Sequence, residues 1–283
     1  MQIPKTIPDL RALREQISGS VGFVPTMGFL HEGHLALVKQ ARVDNSAVIV
    51  SIYVNPAQFG PREDFASYPR DLDRDLELLR REGTDIVFVP SDAEMYPPDF
   101  SSWIDVEKIT ERLEGASRPT HFRGVATVVG KLFNIVQPSR AYFGQKDAQQ
   151  VAVIKRMVTD LNMGPEIVVV PTVRESDGLA MSSRNVYLSP EQRQAATVLF
   201  KALTLGRELR QRGEQDAREI RRQMTSLIER EPLAQIDYVS IADAETLEEL
   251  DLIDRRALAS LAVRIGKTRL IDNMPLASGP PKK

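Results

Sequence analysis

The segment 21–42 sets the strongest constraint on what this chain can fold into. An apolar run, Val21 to Val24, leads into Pro25-Thr26-Met27-Gly28-Phe29-Leu30-His31-Glu32-Gly33-His34, and apolar residues then recur at Leu35, Leu37, Val38 and Ala41. A short apolar run, a glycine-bearing turn and a periodic stretch read as strand, tight turn and helix. The same alternation continues through the first half. Strands are expected over 21–25, 47–54, 85–90, 140–143 and 166–171, with a further candidate at 103–106. Helices are expected over 33–42, 72–82, 124–136 and 147–161. Such alternation argues for an α/β fold with a parallel sheet covered on both faces.

The texture changes near residue 175. Ser189-Pro190-Glu191-Gln192 is a helix start with a capping serine, proline in the first turn and a capping-box glutamine. That helix is expected to run to Arg212 and stop at Gly213, with a charged helix over 216–230 after it. Strands follow over 236–242, 259–265 and 268–271. The expected division is a first domain over 1–174 and a smaller α+β domain over 175–283. The closing Pro280-Pro281-Lys282-Lys283 reads as a frayed tail.

Composition removes whole classes of function. A net charge of −2 over 283 residues gives no general basic field for nucleic acid. Cysteine is absent, so disulfides and thiolate chemistry are excluded. No apolar stretch reaches the length that spans a bilayer, and the N-terminus lacks a signal-peptide core. A cytoplasmic location, with neither membrane nor nucleic acid as partner, is the expectation.

Chemistry concentrates at strand-to-helix junctions, where open α/β sheets bind ligands. His31 and His34 are two of only three histidines, and they sit at the mouth of an expected helix beside Gly28 and Gly33. Helix starts attract anions, and neutral imidazoles add donors that strengthen as negative charge builds. A nucleotide triphosphate fits this arrangement. Metal ligation is the rival reading, but the pair lacks the i, i+4 spacing of the zinc-protease helix motif. An ordinary pair of surface histidines is the other.

Three further segments carry polar groups suited to the same task. Asn55 and Gln58 follow the 47–54 strand and offer amides for hydroxyl or carboxylate groups. Gly144-Gln145-Lys146-Asp147 precedes a helix whose first turn carries Gln149 and Gln150. The stretch 176–185, with Met181-Ser182-Ser183-Arg184, suits a phosphate clamp. Each also has a plain reading, as a proline turn, a solvated lysine or a Ser/Gly linker. Gly266-Lys267-Thr268 looks like the end of a P-loop, yet Leu261 stands where the leading glycine belongs and strands flank it.

Together these blocks resemble the pantoate–β-alanine ligase (pantothenate synthetase) family. The first block alone would place the chain in the wider HIGH-motif nucleotidyltransferase superfamily. Val54-Asn55-Pro56-Ala57-Gln58-Phe59, Gly144 to Gln150 and Asp177 to Asn185 are similar to further family blocks in the same order, as are Tyr68-Pro69-Arg70 and His121-Phe122-Arg123-Gly124.

The resemblance implies a Rossmann-like N-terminal domain, a smaller C-terminal domain acting as a lid, and a homodimer. It implies condensation of pantoate with β-alanine at the expense of ATP, through pantoyl adenylate. Carried onto this sequence, it gives ATP contacts to Met27, Gly28, Phe29, Leu30, His31, Glu32, Gly33 and His34, with His34 as proton donor. It adds Gly144, Gln145, Lys146, Asp147, Val173, Met181, Ser182, Ser183 and Arg184 for ATP. Gln58 would hold pantoate and β-alanine, and Gln150 pantoate, with Asn55 beside them. His34, His31 and Lys146 are the expected catalytic residues. Mg2+ is expected with the nucleotide; no sharp motif marks its ligands, and Asp71, Asp73 and Asp75 are the acidic candidates. A nucleotidyltransferase acting on a phosphate, and a nucleotide-binding regulator without turnover, are the competing functions.

Overall fold

Strand order shows how the first half is wound. The computed structural model describes residues 1–61 and 63–276; the tail expected at 280–283 lies outside them. Among the described residues, five parallel strands form one sheet: β1 (Val21–Thr26), β2 (Ala47–Ile52), β3 (Ile86–Phe88), β4 (Arg140–Gly144) and β5 (Glu166–Val170), in the order β3-β2-β1-β4-β5. β1 pairs with β2 from Val21↔Ala47 to Thr26↔Ile52 and with β4 at Gly22↔Arg140 and Phe23↔Ala141. The winding therefore reverses between β1 and β4, and the carboxyl ends of those strands flank the switch point.

The strands read as unbroken apolar runs because both faces are covered. Val48, Ile49 and Val50 are fully buried, and one core cluster joins them through Val48 and Val50 to Leu37, Val38 and Ala41 of the helix Glu32–Asp44. The valine-rich segment does form a helix, His121–Val136, longer at its start than expected. Its Phe133 meets Phe23 of β1 and Phe143 of β4 edge-on, at 6.5 and 6.4 Å between ring centres.

The remaining strands form a separate antiparallel sheet, β6 (Ala234–Asp243), β7 (Ala257–Ile265) and β8 (Thr268–Leu276), in that order. The helices Val198–Gln211 and Ala217–Ile228 bury Leu199, Leu203, Ile220 and Met224 in one core with Ala259, Leu261 and Val263 of β7. The chain divides into two compact units, one of residues Met1–Gln145 and Gln149–Pro171, the other of Lys146–Ala148 and the chain from Thr172 on. Val173 and Arg174 thus group with the second unit, as does a three-residue piece that follows β4.

Several elements depart from the sequence reading for physical reasons. No strand forms at 103–106: the Ile104 amide is spent on Thr127 Oγ1 (3.0 Å), and Ile104 packs where Gly130 has no side chain. The helix expected over 190–212 is broken into Pro190–Ala195 and Val198–Gln211; Thr197 Oγ1 bonds back to the Gln194 carbonyl at 2.8 Å, competing with the backbone ladder. A helix at Ile7–Glu15 escaped the reading although Thr6 caps it; it buries little besides Leu10.

Candidate active site

The turn after β1 is held from below by a buried carboxylate. Gly28 has φ +80° and Phe29 φ +49°, so the backbone turns sharply before the helix. A side chain at Gly28 would press on Ile52 and lie 3.1 Å from Asp75. Asp75 Oδ2 accepts from the Phe29 amide at 2.6 Å and Oδ1 from the Leu30 amide at 2.8 Å. Burial pushes the Asp75 carboxyl up, and the two amides pull it back. Its neighbour Arg74 lies 5.4 Å from the centre of the Phe29 ring.

The helix start then closes in an unusual capping box made by imidazoles. His31 is the cap residue; its Nδ1 accepts from the Gly33 amide at 3.1 Å, while His34 Nδ1 accepts from the His31 amide at 3.3 Å. This changes the simple picture of open helix N–H groups, because the cap consumes the Gly33 donor itself. It also selects a tautomer. A neutral ring that accepts at Nδ1 carries its proton at Nε2, so both histidines present an Nε2–H donor.

The 55–58 turn forms a second part of the first unit's site. Asn55 is buried and uses its amide inside the fold. Nδ2 donates to Gln58 Oε1 and to the Gly124 carbonyl, each at 3.1 Å. Oδ1 accepts from Tyr96 Oη at 2.9 Å and from the Ala57 amide at 3.3 Å. Burial pushes the Tyr96 phenol up to about 12, so it remains a donor. Asn55, expected to touch substrate, therefore has its two donors and two acceptors engaged in orienting Gln58. Gln58 Nε2 in turn lies 2.9 Å from Met27 Sδ, which brings the two expected blocks together.

Residues to which the sequence assigned no role hold this turn in place. His121 Nδ1 lies 2.8 Å from the Gln58 carbonyl and its Nε2 3.2 Å from Arg118 Nη1. Both contacts are satisfied by a neutral ring that donates from Nδ1 and accepts at Nε2. Burial, helped by the Arg118 charge, lowers the His121 pKa to about 4. Arg118 continues to Glu63 through bonds of 2.6 and 2.7 Å. Burial works against the Glu63 charge, but Arg118 still carries that carboxyl below its usual range. Gly124 lets the helix touch the turn: a Cβ there would sit 2.2 Å from the Ala57 carbonyl oxygen. Tyr96 itself belongs to an aromatic group, stacked on Trp103 and edge-on to Phe100, with Arg123 4.9 Å from the Trp103 ring centre.

Gln149 and Gln150 part company. Gln149 is buried, donates to the Ile109 and Arg112 carbonyls at 2.8 Å and accepts from the Glu114 amide at 2.9 Å. It is a brace for the 109–114 stretch. Gln150 is only partly buried.

The second unit carries the remaining expected residues. Lys146 Nζ lies 3.5 Å from Asp147 Oδ1. The stretch 174–181 doubles back on itself, with Glu175 N to the Leu179 carbonyl at 2.9 Å and Met181 N to the Val173 carbonyl at 3.0 Å. Arg193 clamps it through Glu175 and Asp177, each at 2.7 Å. Ser182 then caps a short turn, Ser183–Tyr187, by accepting from the Arg184 amide at 3.3 Å. The expected linker is thus a tied loop that delivers Ser182, Ser183 and Arg184 in succession.

The acidic metal candidates do not form a cage. Asp71 caps the helix Leu72–Arg81, Asp75 is occupied by backbone amides, and among the described residues no three His, Asp or Glu side chains converge. Among those residues, too, no helix is long and apolar enough to cross a membrane.

Comparison with known proteins identifies the family. Residues 2–275 match the family model described as pantoate-beta-alanine ligase. A pantothenate synthetase of Roseiflexus castenholzii is 62% identical over 96% of this chain and 98% of its own. One of Herpetosiphon aurantiacus is 61% identical over 97% and 99%. Among solved structures, the pantothenate synthetase of Thermus thermophilus superposes with a TM-score of 0.93 at 50% identity, covering 97% of this chain and 99% of that one. The pantoate-beta-alanine ligase of Francisella tularensis, complexed with beta-gamma ATP and beta-alanine, gives 0.80 at 36% identity, with 97% of each chain covered.

Proposed function

The chain belongs to the pantoate-beta-alanine ligase family and joins pantoate to β-alanine at the expense of ATP, and we propose how its residues divide that work. A carboxylate is a poor electrophile because its charge is delocalised. In the first step a pantoate carboxylate oxygen attacks the α-phosphorus, and pyrophosphate leaves. In the second the β-alanine amine attacks the acyl carbon, AMP leaves with the electron pair of the broken bond, and the amine gives up a proton. Both steps need charge stabilisation and alignment more than a nucleophilic side chain, in keeping with the absence of cysteine.

The observation that carries the assignment is the imidazole capping box, in which His31 and His34 each accept a backbone N–H at Nδ1. Two Nε2–H donors fixed at a helix start suit oxygens on which negative charge accumulates, so pyrophosphate departure is assigned to them. Lys146, Ser182, Ser183 and Arg184 are assigned to the phosphates, and Gly28 and Gly144 to close backbone approach. Gln58 and Gln150 are assigned to pantoate, with Asn55 acting by orienting Gln58. Mg2+ is proposed to enter on the triphosphate and keep water ligands, because the acidic residues offer no cage. A cytoplasmic homodimer remains part of the proposal, and sedimentation of the pure protein tests the dimer.

The decisive assay is AMP and pyrophosphate release with pantoate, with and without β-alanine. Pantoate-dependent pyrophosphate release that stops near one equivalent without β-alanine, and turns over with it, is the expected result. Turnover with a phosphorylated acceptor in place of pantoate, or nucleotide binding without turnover, would reverse the assignment.

A further inference from the structure

The last strand of the second unit carries a buried charge that none of the roles above uses. Asp272 on β8 is 3% exposed, and Arg174 meets it with both terminal nitrogens, at 2.6 and 3.0 Å. Arg174 also donates to the Gly178 carbonyl at 3.1 Å and the Asn273 carbonyl at 3.4 Å, with its guanidinium 4.5 Å from the Phe200 ring centre. Asp272 Oδ1 accepts from the Asn273 amide at 2.8 Å, and the Asn273 side chain donates to the Lys146 carbonyl, also at 2.8 Å. Two adjacent buried strand positions thus reach two places: Asn273 the backbone of Lys146, and Asp272, through Arg174, the base of the loop that ends in Met181–Arg184.

Stability alone does not account for such a pair. An ion pair this deep is commonly no better for folding than two apolar side chains of the same size, because desolvation offsets the attraction. Burial pushes the Asp272 carboxyl up, and the charges of Arg174 and Lys146 oppose that push. What the pair supplies beyond packing is direction. The guanidinium fork has one orientation on its carboxylate, and its remaining bonds fix the 174–181 stretch, where Arg174 pairs with Ala180 across the loop.

We propose that Asn273 and Asp272 are positioning residues for the nucleotide phosphates, Asn273 by holding the backbone of Lys146 and Asp272 by holding, through Arg174, the loop that delivers Ser182 to Arg184. The inference rests on the assignment of Lys146 and that loop to ATP made above. Neither residue touches substrate in this account; both act through others.

Pantoate-dependent exchange of pyrophosphate into ATP reads adenylation alone and is the measurement of choice. Asn273→Ala is expected to lower exchange kcat about tenfold, equivalent to about 1.4 kcal/mol, with the KM for β-alanine in the full reaction unchanged. In a Lys146→Ala background the same change is expected to add less than about a twofold loss, because the residue it acts through is gone. An equal loss in both backgrounds means a purely structural role and overturns the Asn273 arm. Wild-type exchange in Asn273→Ala, with Lys146→Ala impaired, overturns that arm while leaving the nucleotide assignment standing. Wild-type exchange in Lys146→Ala itself overturns the assignment and this inference together. For Asp272, the charge-removing Asp272→Asn is expected to raise the KM for ATP while secondary structure is retained; an unchanged KM overturns that arm. If Asp272→Asn does not fold, Arg174→Lys, which keeps the charge and loses the fork, is expected to raise the same KM, and an unchanged value there overturns it equally.

Discussion

His31 and His34 face each other with ring centres 4.0 Å apart, and each accepts a backbone N–H through Nδ1. The inner nitrogens serve the fold, and the proposal assigns the outer ones to chemistry. His34→Asn keeps an acceptor at the inner position and removes the outer donor, whereas His34→Gln reaches toward the outer one. His34→Asn is expected to melt near wild type and to lose on the order of 100-fold in pyrophosphate exchange, with His34→Gln retaining more. Equal activity in the two variants would contradict the division.

Asp75 is expected to couple stability and adenylation. Two charge-assisted bonds from a buried carboxylate hold Phe29 and Leu30. Asp75→Asn turns one acceptor into a donor aimed at an amide, so unfolding free energy should fall by about 1–3 kcal/mol. Exchange activity should fall further than the unfolded fraction explains, since the His31–His34 cap follows directly. Urea titration beside exchange kinetics checks both parts.

Gly124→Ala tests the helix contact beneath Gln58, the residue proposed for pantoate. The new methyl would overlap the Ala57 carbonyl, and overpacking of this kind typically costs about 1–3 kcal/mol. The displaced 55–58 turn should raise the KM for pantoate and leave that for ATP nearly constant. A larger shift in the ATP constant would place the strain elsewhere.

His121 makes stability depend on acid. Its pKa of about 4 in the fold lies below the ordinary 6.5, so the unfolded chain binds the proton first. Its contribution is complete above pH 6.5 and is lost as pH falls from there toward 4. Over that window the loss approaches about 3 kcal/mol, at about 1.4 kcal/mol per pH unit. His121→Gln should flatten the difference in urea midpoint between pH 7 and pH 5. A variant with the wild-type slope would assign the acid sensitivity to another group.

The alternation of apolar runs made the parallel sheet legible, because strands covered on both faces show no polar interruptions. The strand–turn–helix junction at His31 and His34 was legible as well, since local glycines and helix-start chemistry mark it. The supporting contacts were not. Asp75 reaches amides 46 residues away, Arg118 pairs with Glu63 across 55, and Arg174 with Asp272 across 98. No periodicity or local spacing encodes such pairings; they exist only once the chain has folded. Asn55 illustrates the same gap from the other side. Its amide suits a polar ligand on paper, and only the fold reveals that Tyr96, Ala57, Gly124 and Gln58 already occupy it. The false strand at 103–106 has a similar origin, because apolar content could not show that Gly130 had left room for Ile104.

The aromatic group around Tyr96 gives the molecule a built-in optical reporter. Trp103 is the single tryptophan, so indole emission originates from one place in the chain. It stacks on the very ring whose hydroxyl anchors Asn55, two bonded contacts from Gln58. A change in the 55–58 turn is therefore expected to shift its emission without any attached dye, in an unmodified protein, by selective excitation of a single native fluorophore.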